Sequence, residues 1–151
     1  MWKIDGDKFI FRETTTIDAS PDQVYKTVAS FDRYAEFLSD IEKSELLDDG
    51  QCFMIVRAGP LRIEVWTKVH YIENQRVDFD MVKGPPIDSA SGSWILSPND
   101  SGGTDITFEA KITSGISGKW LLRTASKYVE RKGMALIETF RKQTLASKAE
   151  G

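Results

Sequence analysis

The chain has 151 residues, 40% of them hydrophobic, with one cysteine and a formal net charge of −3. That size and apolar content suffice for one domain with its own core, without a disulfide or a cysteine-rich metal staple. The slightly acidic balance argues against a broad basic surface for nucleic acid, and no window approaches the ~20 apolar residues of a membrane span.

The first residues, Met1 to Phe11, carry charges at Lys3, Asp5, Asp7 and Lys8. These interrupt the apolar run that a secretory signal needs, so a cytoplasmic protein is expected. Phe9 to Ile17, rich in β-branched and aromatic residues, predicts the first strand. Ser20-Pro21-Asp22-Gln23 then marks a helix start: Ser20 caps, Pro21 suits the first helical position and Gln23 closes a capping box. Val24, Val28 and Phe31 supply its inner face. Asp32 is expected to cap a second short helix through Tyr34, Phe37 and Leu38.

From there the hydrophobic period changes to two. Ile41–Leu47 is one strand; Gln51–Arg57 and Arg62–Ile72 flank the turn Ala58-Gly59-Pro60-Leu61. Setting Arg57 opposite Arg62 places Val56 by Ile63, Met54 by Val65 and Cys52 by Thr67 on an apolar inner face. The other face, with Ile55 by Glu64 and Phe53 by Trp66, reads as solvated apart from one aromatic pair. The turn at Glu73-Asn74-Gln75 sets Val69 opposite Phe79 and Thr67 opposite Met81. Outside, His70 meets Asp78. The last hairpin, around Pro98-Asn99-Asp100-Ser101-Gly102-Gly103, aligns Trp94 with Phe108 and Leu96 with Ile106. Seven strands emerge. Ser117 to about Ser147 closes the chain as one amphipathic helix, with Leu122, Ala125, Val129, Gly133, Leu136 and Phe140 on one side and charges on the other. Some 30 helical residues span about 45 Å, so this stripe is buried only if the helix crosses a curved sheet. The expectation is a single α+β domain over 1–151, with its core at about 9–147.

Ile17-Asp18-Ala19-Ser20-Pro21-Asp22-Gln23-Val24-Tyr25, Tyr34-Ala35-Glu36-Phe37-Leu38, Gly84-Pro85, Gly92-Ser93-Trp94, and Ile137 with Phe140 carry a further signal. In this order the chain resembles the START-like, helix-grip superfamily, in its polyketide cyclase/dehydrase and coenzyme Q-binding branch. The resemblance implies a seven-stranded curved antiparallel sheet in the order β-α-α-β6-α, wrapped around the terminal helix. It also implies a hydrophobic cavity for a lipid, quinone or aromatic polyketide-like molecule. These are packing and turn motifs, which specify fold better than activity. Pro86 stands where the coenzyme Q-binding branch often has a large apolar residue, so quinone is not singled out.

Residues able to carry chemistry are few. His70 is the only histidine, and the register puts it on the outer face. Zinc or iron sites built on paired histidines are therefore excluded, and Asp78-x-Asp80 reads as an exposed charged stripe. Cys52 points inward without a neighbouring base and reads as a small hydrophobe. The Gly-rich pieces lack the lysine of a phosphate loop. No catalytic set, metal or cofactor is expected.

Polar groups projected inward are the better candidates. Glu13 shares its parity with Phe9, Phe11, Thr15 and Ile17, and a buried carboxylate is costly unless function or a partner retains it. Thr67 and Tyr71 lie on the inner parity with Val65 and Val69. Met54, Phe79, Trp94 and Phe108 on strands, and Ala125, Tyr128 and Val129 on the helix, complete a candidate lining that reads equally as core. The leading functional reading is a non-catalytic binder or carrier of a small hydrophobic molecule. The alternatives are a polyketide cyclase or aromatase-type enzyme using Glu13 or Tyr71, and a protein-interaction module presenting the Phe53–Trp66 pair.

Overall fold

A computed structural model describes residues 2–58, 61–85, 87–113, 123, 127, 131 and 135–147. Its frame is one antiparallel sheet in the order β1-β2-β8-β7-β6-β5-β4-β3. The strands are β1 (Trp2–Asp5), β2 (Lys8–Ile17), β3 (Ile41–Leu46), β4 (Cys52–Ala58), β5 (Leu61–Ile72), β6 (Arg76–Lys83), β7 (Ser89–Pro98) and β8 (Thr104–Thr113). Between β2 and β3 lie α1 (Pro21–Ala29), a 3-10 turn (Phe31–Arg33) and α2 (Tyr34–Phe37). Residues 135–147 form a terminal helix, α3.

The sheet has eight strands where the sequence led us to expect seven. The extra one is β1, which pairs Trp2 with Phe11 and Ile4 with Phe9. Its connection to β2 is the two-residue loop Gly6-Asp7, and Gly6 takes φ +64. A glycine in that region at the first loop position suits a hairpin turn of the kind that follows the strand twist. The charges that argue against a signal sequence therefore sit on a hairpin.

Elsewhere the expected register holds. Cys52–Thr67, Met54–Val65 and Val56–Ile63 pair across β4–β5, Val69–Phe79 and His70–Asp78 across β5–β6, and Trp94–Phe108 across β7–β8. The box that opens α1 is present, with Gln23 N–H donating to Ser20 Oγ and Ser20 N–H to Gln23 Oε1. Asp32 does not cap α2. It lies inside the 3-10 turn, and the residue before α2 is Arg33, with no side-chain cap. Ser44 of β3 takes part of that work: its Oγ donates to the Asp32 carbonyl and accepts from Ala35 N–H, tying the helices to the sheet.

Inward residues and helices form one main cluster, beside a smaller one of Phe9, Phe11 and Ile137. Val24, Val28 and Phe31 of the helical segment pack with Ile17, Cys52, Val77, Trp94, Leu96 and Ile106. On α3, Ile137, Phe140 and Thr144 are buried at steps of three and four, while the charged positions 123, 127, 131, 138 and 142 are exposed. Phe140 meets Trp94 at 4.5 Å between ring centres, Tyr34 at 5.1 Å and Phe37 at 5.3 Å. The terminal helix therefore crosses the inner side of the sheet. Such aromatic pairs each add roughly 0.5–1.5 kcal/mol beyond area burial.

The outer face is less uniformly solvated than alternation implied. Ile55 is only 9% exposed, and Phe53 and Trp66 are half-buried. Long neighbours explain it: Lys43 and Glu64 flank Ile55 in the register, and the Lys43 and Lys83 ammonium groups lie over the Phe53 and Trp66 rings at 5.8 and 5.1 Å. Such side chains cover apolar surface with their methylenes while the charge stays in water.

Candidate ligand-binding face

The inner face divides into a closed part and an open part. In the closed part Ile17, Val77, Trp94, Leu96 and Ile106 are sealed by α1 and Phe140. In the open part Met54, Val65, Val69, Phe79 and Phe108 are only half-buried, although all face the helix side. Apolar groups on a concave inner surface that still reach solvent are what a small-molecule site is made from.

Two glycines shape this region. At Gly92 the Phe79 ring lies directly over the backbone: an added Cβ would sit 2.6 Å from Phe79 Cε2 and 2.7 Å from the Glu109 carbonyl oxygen. The Phe79 ring reaches across to Phe108, with centres 6.3 Å apart and planes 19° from parallel, and to Phe31 at 6.0 Å. Gly84, just past β6, packs against Met81 Sδ and Val65. A bulge at Val82 on β6, between the Thr67–Met81 and Trp66–Lys83 pairs, bends the sheet nearby.

The sequence candidates fall into distinct places. Glu13 is half-buried on the inner face of β2, directly opposite Phe108. Thr67 and Trp94 are 3% and 2% exposed, so they support the lining from beneath and offer little surface of their own. Tyr71 is 45% exposed, at the end of β5. Burial raises its hydroxyl pKa, and Cys52, Tyr25 and Asp32 add to the shift, which places it close to α1 and the 3-10 turn. It remains a neutral phenol near pH 7, able to donate a hydrogen bond. Ala125, Tyr128 and Val129 lie outside the described residues. Alternation along β6 and β8 also brings in Met81, Ala110 and Ile112, half-buried inward residues absent from the lining expected from the sequence.

Burial, with Asp32 nearby, pushes the Cys52 thiol up to about 11, so it is a protonated, inert side chain. Burial also drives Tyr34 well above the ordinary phenol value, and its hydroxyl donates to the Val28 carbonyl. His70 is exposed on the outer face opposite Asp78. The Asp78 carboxylate is held by the Arg76 guanidinium at 2.8 Å and accepts from the Ser93 hydroxyl, and these bonds lower its pKa. This polar row borders an outer groove of about 650 Å³ walled by Arg12, Asp80, Glu109 and Lys111. Among the described residues no group of three or more His, Cys, Asp and Glu is placed to hold a metal ion. No helix among them is long and apolar enough to cross a membrane.

A bent antiparallel sheet with two short helices at one end and a terminal helix across its inner side is the helix-grip fold. The profile of the family described as polyketide cyclase/dehydrase and lipid transport matches residues 8–143, and the chain belongs to that family. Similar solved structures include the Zhui aromatase/cyclase from Streptomyces sp. R1128, 17% identical with a TM-score of 0.81 over 91% of this chain and 93% of that one. TTHA0849 from Thermus thermophilus is 18% identical, with a TM-score of 0.79 over 91% and 98%. A START superfamily protein from Mycobacterium smegmatis is 15% identical, with a TM-score of 0.77 over 91% and 97%. At these identities the likeness concerns the fold. No curated protein sequence matches significantly.

Proposed function

We propose that this protein binds a small hydrophobic molecule between the inner sheet face and the terminal helix, as a carrier or receptor. One observation carries the reading: Met54, Val65, Val69, Phe79 and Phe108 face the helix side yet keep accessible surface. Each 100 Å² of apolar surface that a ligand and this lining remove from water contributes about 2.5 kcal/mol. Family membership points the same way, because its description joins cyclase, dehydrase and lipid transport.

Native mass spectrometry of the purified protein, together with thermal shifts across a panel of lipids, quinones and polycyclic phenols, tests the proposal. A stabilising ligand is expected, and its effect should fall when Met54→Trp fills the lining. No retained mass and no shift with any panel member would refute it.

Catalysis of the aromatase/cyclase kind is a second reading. It is favoured by Glu13, an acidic side chain at hand on the inner face, and by the fold shared with an aromatase/cyclase. Such a site would work by confining a flexible chain in a reactive conformer, with Glu13 assisting proton transfer. Turnover of a polyketide-like substrate by wild type, lost in Glu13→Gln, would establish it. Equal turnover by both would remove Glu13 from the chemistry.

A further inference from the structure

Four polar side chains are buried among the described residues: Thr27, Thr67, Thr104 and Thr144. Three of these hydroxyls are occupied. Thr27 Oγ1 donates to the Gln23 carbonyl, Thr104 Oγ1 to the Ala19 carbonyl at 2.7 Å and Thr144 Oγ1 to the Phe140 carbonyl at 2.8 Å. Thr67 is the exception: it is 3% exposed, and its hydroxyl makes no hydrogen bond among the described residues. The side-chain polar atoms there that are both sealed and unpartnered are Asn74 Oδ1 and Arg141 Nε. Thr67 Oγ1 is not one of them, so the small surface that Thr67 keeps includes its oxygen.

This oxygen lies in the middle of the open lining. Thr67 faces inward on β5 between Val65 and Val69, with Cys52 on β4 and Met81 on β6 as cross-strand neighbours. Val65, Val69 and Met81 are half-buried. Valine precedes and follows Thr67 in this inward row, so a third valine would fill the same space without a polar atom. A buried hydroxyl without a partner costs free energy. Side chains stand perpendicular to a sheet, away from the carbonyls of the ladder, so a partner has to come from across the open lining. Resting on the binding function proposed above, we infer that Thr67 is the polar anchor of the pocket floor, and that the ligand is an apolar molecule bearing a hydroxyl or carbonyl oxygen. A threonine hydroxyl both donates and accepts, so it serves either group. The valines and Met81 hold the apolar body, and Thr67 fixes which end of the ligand points down. A hydrocarbon of the same shape leaves the hydroxyl unpaired and gains nothing from it.

Thr67→Val keeps the shape and removes the oxygen, whereas Thr67→Ser keeps the oxygen and removes the methyl. Protein stripped of copurified lipid is first melted without ligand. Equilibrium dialysis at pH 7 then measures binding of 2-naphthol and naphthalene, which share a ring system and differ by one hydroxyl. Thr67→Val should raise the Tm of the unliganded protein by about 2–4 °C, because an unpaired hydroxyl is gone. The same variant should weaken 2-naphthol about tenfold, equivalent to about 1.4 kcal/mol, and leave naphthalene unchanged. Thr67→Ser should keep the wild-type ratio of the two affinities. A Tm that stays or falls in Thr67→Val overturns the inference, as does equal weakening of both compounds or undiminished binding of 2-naphthol. Failure of both compounds to bind wild type rejects the binding function itself, whichever way the Tm moves.

Discussion

Gly92→Ala isolates the contact that lets Phe79 spread over the inner sheet. An alanine ordinarily stabilises a strand relative to glycine by about 0.5–1 kcal/mol, because glycine loses more freedom on folding. Here the new methyl would meet Phe79 Cε2 at 2.6 Å and the Glu109 carbonyl oxygen at 2.7 Å. The carbonyl belongs to the neighbouring strand and cannot yield without disturbing the β7–β8 ladder, and the ring is wedged between Phe31 and Phe108. Overpacking of this kind costs typically 1–3 kcal/mol, so a net loss of about 2 kcal/mol is expected. For a chain of this size that lowers Tm by roughly 4–8 °C. Gly84→Ala is the internal control. Its methyl would approach Met81 Sδ to 2.5 Å, while the other neighbours stay at 3.4 Å or beyond. A thioether end swings aside readily, so Gly84→Ala should cost less than about 1 kcal/mol. Urea denaturation and calorimetry of both variants measure the difference. Equal costs, or a Gly92→Ala protein as stable as wild type, would refute the reasoning. Adding Phe79→Leu to Gly92→Ala should recover only part of the loss, since the Glu109 carbonyl remains.

Phe140→Ala removes a ring that is 1% exposed and touches Trp94, Tyr34 and Phe37; chemical denaturation should show a loss of about 3–5 kcal/mol, and a loss under 1 kcal/mol would mean the helix is not anchored there. Cys52, with its thiol raised from 9.0 to about 11, should resist a thiol reagent in the native protein at pH 8 and react only on unfolding. Rapid stoichiometric labelling of folded protein would contradict its burial. The linked pH dependence has a definite sign: the folded protein holds this proton more tightly than the unfolded chain. Its contribution is therefore full below pH 9 and is lost as pH rises through about 11. Denaturation midpoints of wild type and Cys52→Ala followed across that window should converge at the alkaline end.

Strand pairing was open to inspection in the chain itself because side-chain period and turn chemistry are local properties. A slip of one residue between β4 and β5 would either send Met54 and Val56 outward or bring Glu64 and Trp66 inward, depending on which strand turned over, so the register is strongly specified. The capping box at Ser20–Gln23 is equally local. β1 was not expected because it is only four residues long, with two apolar positions between charges, although Gly6-Asp7 is a two-residue hairpin loop signal. The burial of Ile55 escaped for a different reason. It depends on the length of side chains on two neighbouring strands, which no single strand records.

Amino-acid order alone determined the sequence of elements from β2 to β8, the facing of residues on the hairpins it paired and, among the described inward strand positions, the one acidic group, Glu13. Only tertiary structure decided which inward residues are sealed and which stay open. Trp94 and Thr67 share an alternation with Phe108 and Val65, yet the first two are buried and the others keep accessible surface. The distinction comes from where Phe140 and α1 land on the sheet and from how Gly92 lets Phe79 lie down. Periodicity sets the direction of a side chain, whereas accessibility depends on what the rest of the chain places opposite it.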